Sequence, residues 1–223
     1  MNKFLKKSIL FIAYFYSCLL LLICVSNYCI NKHVNLKLDR NIKHIVIGNS
    51  KPECAYNDSL ISNFKNLSRS AESYFYNYIK LKQVLNQNSQ IETVFIEFSN
   101  ANILIREDQK IWRNRFLNHN LPQYFPFLEI NDHKLLAYKN ALGYQQNILK
   151  SLSYNFNRIV SSNYNYIDSL GGFLALKRQK VKTILDTLSY NPIKQIALNP
   201  KQISINDLGY LEEMIQLCRR KKL

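Results

Sequence analysis

The sequence predicts an α/β domain carried behind a single N-terminal membrane helix. Three observations lead there: an uncharged apolar run at residues 9–28, three short β-rich apolar runs early in the rest of the chain, and an amphipathic stretch between the second and third. Strand, helix, strand, helix, strand in this order means a parallel sheet. Its right-handed crossovers put helices on both sheet faces, as a three-layer sandwich.

The run at 9–28 reads ILFIAYFYSCLLLLICVSNY, with only Ser17, Ser26 and Asn27 as strongly polar breaks. At about 1.5 Å per residue it can cross a bilayer core of about 30 Å. It is longer than the apolar part of a signal peptide, about 7–15 residues, and no small-x-small cleavage site follows, so a retained anchor is expected. Lys3, Lys6 and Lys7 precede it with no acid among them. That bias orients residues 1–30 with a cytoplasmic N-terminus and the body outside, although Lys32, Lys37 and Arg40 reduce the asymmetry. Cys18, Cys24 and Cys29 fall in or beside the span and read as apolar filler. Cys54 and Cys218 could form one disulfide in an oxidising compartment.

Residues 31–41 (NKHVNLKLDRN) read as a polar stalk, and 42–223 as the domain. Residues 44–47 (HIVI), halted by Gly48, form the first strand, and 64–67 a short second one. Tyr74, Tyr78, Leu81 and Leu85 recur at helical spacing over 72–88, and 92–98 (ETVFIEF) is the third strand. From 100 to 201 the pattern turns helical and irregular, with Ile111, Trp112, Phe116, Tyr124, Phe125 and Phe127 and a Gly171-Gly172 break. This reads as an inserted region whose aromatics are mainly core. Asn206 opens an amphipathic helix closed by Arg219, Arg220, Lys221 and Lys222, which suit a helix C-terminus. Three strands make a small parallel sheet, and the chain stops where another strand would follow, so a domain incomplete at its C-terminus is expected.

Lys and Arg number 30 against 15 Asp and Glu, a formal charge of +15. The 27 Asn and the abundance of Lys, Ile, Tyr and Phe point to compositional bias as one source of that charge. The basic residues are scattered and carry no nucleic-acid-binding signature, so no nucleic-acid partner is expected. No His-x-x-x-His, Cys-x-x-Cys or glycine-rich phosphate loop occurs, and neither metal nor cofactor is expected. Neighbouring acids such as Glu53 and Asp58, or Glu107 and Asp108, read as solvated surface, and Cys54 as a small buried residue.

Ligands of open parallel sheets bind at the carboxyl ends of the strands. Those ends read Gly48-Asn49-Ser50-Lys51-Pro52-Glu53-Cys54, then Asn66-Leu67-Ser68-Arg69-Ser70-Ala71-Glu72-Ser73, then Glu97-Phe98-Ser99-Asn100-Ala101-Asn102. Over residues 42–102 they resemble the first three blocks of the SGNH (GDSL-like) hydrolase superfamily, and the surrounding PECAYNDSLI and ESYFYNYIKLK are similar to membrane-anchored members from Bacteroidetes-type bacteria. The resemblance implies a flavodoxin-like SGNH fold in the bacterial inner membrane, single-pass with its body extracytoplasmic. It implies a serine esterase or O-acyltransferase acting on acylated envelope glycans, with Ser50 as nucleophile. Ala71 falls on the glycine whose backbone N–H helps bind the oxyanion. Asn100, or alternatively Asn102, falls near the asparagine that donates to the same oxygen. Asn49 stands where the family has aspartate, and Ala71 keeps the donor without cost only if its φ is negative.

A serine hydroxyl needs a base to remove its proton, which the family takes from an Asp-x-x-His. None occurs here. The four histidines are His33, His44, His119 and His133, each read as a surface or core residue. This chain is therefore expected to be inactive as it stands. The other reading is a non-catalytic envelope protein that keeps the fold for binding or assembly.

Overall fold

Residues 2–33 form one continuous helix, α1 (Asn2–His33), because nothing in that stretch breaks it: no proline, no glycine, and Lys32 and His33 against the negative end of its dipole. An 18-residue window within Lys3–His33 reaches a mean hydropathy of 2.5, so the helix is long and apolar enough to span a membrane. The computed structural model describes residues 2–176 and 202–223. The expected helical region 100–201 is described to residue 176, and 177–201 lies outside the described residues.

The chain divides into two compact units, Met1–Leu36 with Trp112–Tyr166, and Lys37–Ile111 with Ile167–Leu223. The second unit holds the sheet. Its strands β1 (His44–Ile47), β2 (Phe64–Asn66) and β3 (Thr93–Ile96) are all parallel in the order β2-β1-β3. The register pairs His44 with Phe64 and Thr93, and Val46 with Asn66 and Phe95, so these side chains share one face. Phe95 on that face is half-exposed. The described residues thus give a mixed α/β unit with a three-stranded parallel sheet.

Helix α2 (Ser50–Ala55) follows β1 after one turn, and α3 (Tyr74–Gln87) runs between β2 and β3. The C-terminal helix, Ile205–Lys221, packs on α3, with the rings of Phe75 and Tyr210 meeting edge to face at 5.1 Å. A short antiparallel bridge between Leu104 and Ile203 ties this helix's approach to the loop after β3.

The first unit is helical. Between α4 (Gln109–Trp112) and α8 (Ile167–Leu170) come α5 (Asn114–Tyr124), α6 (Ile130–Lys139) and α7 (Ala141–Val160), and α7 packs against α5, α6 and α1. Tyr124, Phe125 and Phe127 are buried as core, while Trp112 and Phe116 are partly exposed. Within the segment 31–41, read as a stalk, several residues are engaged. The Asn31 amide donates to Pro126 O at 2.7 Å, Asn35 bridges to Asn165, and Leu36 is fully buried, because the apolar Leu36 and Leu38 find cores to enter. Cys54 and Cys218 are both free thiols, so the disulfide considered from sequence is absent.

Candidate functional site

The carboxyl ends of β1 and β3 are held together by a glycine and a glutamate. A Cβ on Gly48 would lie 2.6 Å from Glu97 and from Pro52, so only glycine allows β1 to end this close to its neighbours. The Glu97 carboxylate then reaches the turn and accepts from the Asn49 backbone N–H at 2.7 Å. Asn49 caps α2, its side chain accepting from Lys51 N. Ser50 is therefore the first residue of a helix beginning at the edge of the central strand. It is exposed, and its hydroxyl has no partner among the described residues.

The loop after β2 is tied to the same turn. Asn66, fully buried, donates to the carbonyls of Pro52 at 2.9 Å and Tyr56 at 2.8 Å while accepting from Ser68 N. Arg69 N donates to Gly48 O, and Glu53 of α2 accepts from both Ser70 N and the Ser70 hydroxyl. Gly171 (φ 135°) closes against this loop from behind, where a Cβ would lie 2.3 Å from Ser68 O. Ala71 takes φ 67°, so the condition under which alanine would serve there without cost is not met: its Cβ crowds the carbonyl in the left-handed region. Asn100 is exposed at the start of a 3-10 turn (Asn100–Ile103), whereas Asn102 faces inward.

Asn102 lines a small polar cavity with Asn49, Ser73, Tyr74, Asn77, Glu97 and Asp207, lying between the carboxyl ends of β1 and β3 and the start of α3. Ser50, Ala71 and Asn100 do not line it. With strand order β2-β1-β3 this is the side of β1 where the chain changes direction across the sheet, the usual ligand position in such folds. Its volume is about 10 Å³, room for about one water. The Ser73 hydroxyl, Asn77 Oδ1 and Glu97 Oε1 are buried there without a hydrogen-bond partner among the described residues.

Asp207 is the functional candidate that sequence reasoning missed. Ser204 Oγ accepts from Asp207 N at 2.8 Å, one half of a capping box at the start of the C-terminal helix. The other half is not made, because Ser204 N donates instead to Ile103 O at 2.7 Å. The released Asp207 carboxyl is fully buried, with neither oxygen in a well-formed hydrogen bond among the described residues. Burial, reinforced by the charges of Asp108 and Glu107, pushes it up to about 7, against the Tyr74 backbone amide and Lys110. Tyr74 is pushed up to about 12, first by burial and then by Glu97 and Asp207, against a hydrogen bond with Asn102. Such a cavity can hold one polar molecule and exchange a proton with it near neutral pH.

His44 opens β1, and His133 Nδ1 lies 2.5 Å from the Tyr144 hydroxyl while burial pulls the imidazole below its ordinary value. Among the described residues no cluster of His, Cys, Asp and Glu forms a metal centre. Comparison with family models, with curated proteins and with solved structures finds no match.

Proposed function

We propose that this chain is a membrane-anchored, extracytoplasmic protein of three-layer, SGNH-like α/β architecture, built to present Ser50 to acyl esters of envelope glycans as a serine esterase or O-acyltransferase. One observation carries the reading: Ser50 stands exposed at the first turn of α2, directly beyond the central strand, with its hydroxyl unengaged among the described residues. In this reading the Ser50 oxygen attacks the acyl carbon, and the carbonyl oxygen becomes an oxyanion. The Ala71 N–H and the Asn100 side chain are the proposed donors to it, each worth about 3–4 kcal/mol of barrier. The alcohol leaves with the proton that Ser50 gave up, and water or a second alcohol takes the acyl group.

A second reading, a non-catalytic binding or assembly module, is favoured by a different observation. The unit that carries Ser50 contains one histidine, His44, at the opposite end of β1. At about 3.3 Å per residue that is some 10 Å of strand away from the Ser50 turn. Without an imidazole on the hydroxyl, turnover should be residual, lower by orders of magnitude than that of a complete triad.

Fluorophosphonate labelling of the full chain in membranes separates the two readings. Labelling that disappears in Ser50→Ala supports the esterase. No labelling of a correctly folded chain supports the binding module and removes Ser50 as a nucleophile.

A further inference from the structure

Helix α7 is built inside out. Its buried positions are Gly143, Asn147, Ser151, Leu152 and Asn155, all but Leu152 small or polar and recurring every four residues. Its exposed apolar positions include Leu142, Leu149, Phe156 and Val160, at 77%, 56%, 53% and 78%, the first three recurring every seven, with Gln145, Gln146, Lys150, Ser153 and Asn157 as the exposed polar positions. A helix whose surroundings are water buries the apolar set and exposes the small or polar one. The inverse arrangement is that of a helix in lipid, where small residues let helices approach and polar groups must be satisfied internally.

The inward polar groups follow that rule. The Asn147 amide donates to Gly143 O at 2.8 Å, the Ser151 hydroxyl to Asn147 O at 2.7 Å, and the Asn155 amide to Asn27 Oδ1 of α1 at 2.9 Å.

The partner of α7 identifies the solvent. Near its start Gln145 donates to the Tyr16 hydroxyl of α1 at 3.0 Å, and near its end Asn155 meets Ser26 and Asn27. The numbering rises together on both helices, so they run in the same direction over about 15 Å at 1.5 Å per residue. The stretch of α1 they share falls inside the uncharged run 9–28. Ile148 and Leu149 line one open groove with Leu19, Leu20 and Ile23, so the apolar edge of α7 borders the apolar surface of α1. Lys150 and Asn157, about 100° round the helix from Leu149 and Phe156, form a more polar edge. Lys150 bonds there to the Asn118 carbonyl at 2.9 Å.

We infer that α7 is a second membrane-contacting helix, with its Leu142, Leu149 and Phe156 edge resting in the acyl-chain region of the leaflet that α1 crosses. The occupant of this surface is lipid. The inference rests on α1 entering the bilayer, and the experiment below tests that step separately.

The chain has a single tryptophan, Trp112, so a Trp112→Phe background gives a clean probe. Leu149→Trp, Leu142→Trp and, for the polar edge, Asn157→Trp are each placed in it and reconstituted at full length into phosphatidylcholine vesicles. Quenching by acyl-brominated lipid is compared with quenching by aqueous iodide. The expected result is at least threefold stronger bromolipid quenching at 149 and 142 than at 157, with iodide showing the reverse order. Equal bromolipid quenching at the three positions, or iodide access at 149 and 142, overturns the inference. Protection of 149 and 142 from both quenchers overturns it too, and assigns the edge to a second protein chain. Failure of the parent chain to float with the vesicles would overturn the anchor itself. Flotation with an unfavourable quenching pattern would overturn α7 alone.

Discussion

Two buried charge arrangements lie within one unit and are handled in opposite ways. On α3, the Lys80 ammonium is fully buried and donates to Leu67 O at 2.6 Å and to the Glu72 carboxylate at 2.5 Å. Burial lowers the Lys80 pKa and the Glu72 charge resists that fall. At the C-terminal helix, Asp207 forms no salt bridge among the described residues, with Lys110 as the cation that acts on it. Its neighbour Asp108 takes the local donors, from the Ser204 hydroxyl and the Asn206 amide. The first site balances charge with charge; the second places two acids together and lets one carry a proton. Pairing locks the loop before α3 to the helix itself, whereas protonation leaves a group free to respond to pH.

Breaking the pair gives the largest effect. Lys80→Met removes the buried ammonium from the buried Glu72 carboxylate, with Arg69 4.0 Å away, and should lower unfolding stability by about 3–5 kcal/mol in urea denaturation of the detergent-solubilised protein. Lys80→Met/Glu72→Gln should recover most of that loss. A single variant as stable as the parent would show that the pair contributes nothing to holding the loop.

The acid pair gives a smaller effect with a definite sign. Asp207 in the folded protein titrates at about 7, above the unfolded value of about 3.9, so between those limits the folded state holds more protons. Stability from this group is full below about pH 4 and is lost as pH rises through 7. Asp207→Asn should gain on its parent across that window and run parallel to it above pH 8. A constant difference from pH 4 to 8 would mean that Asp207 is ionised throughout.

The smallest effect concerns the backbone beside the pair. Ala71→Gly should relieve the left-handed strain at φ 67° and stabilise the protein by about 0.5–1 kcal/mol, less than the strain alone because glycine also loosens the unfolded chain. A loss of stability would show that the Ala71 methyl makes packing contacts worth more than the strain.

The strands were readable because their signal is local. HIVI is β-branched and stopped by glycine, and β1 occupies those four residues. The ends of the others shifted for tertiary reasons. Leu67 N still bonds Val46 O, but the chain then turns toward Gly48, so β2 stops at Asn66. Glu72 is drawn to Lys80, and α3 begins only at Tyr74.

Asp207 was hidden because Ser-x-x-Asp reads as an ordinary cap, and only the competing Ile103 carbonyl frees it. The sign of φ at Ala71 is likewise set by what the loop must reach. In α7 the buried positions Gly143, Asn147, Ser151 and Asn155 are small or polar, so the apolar periodicity that marks a water-facing amphipathic helix is weak and the region reads as irregular.

The unbroken course of α1 into the helical unit bears on how that unit meets other molecules. A head on a floppy tether samples a volume, and its encounter rate depends on tether length through an effective concentration. Here 32 residues of helix extend about 48 Å, some 18 Å more than a bilayer core requires, and from Tyr16 to Asn31 the unbroken helix bonds to the rest of the unit. With α1 in a membrane, as proposed, the helical unit would diffuse as the membrane diffuses, in two dimensions. A molecule meeting that unit would then have to come to within a few nanometres of the membrane plane.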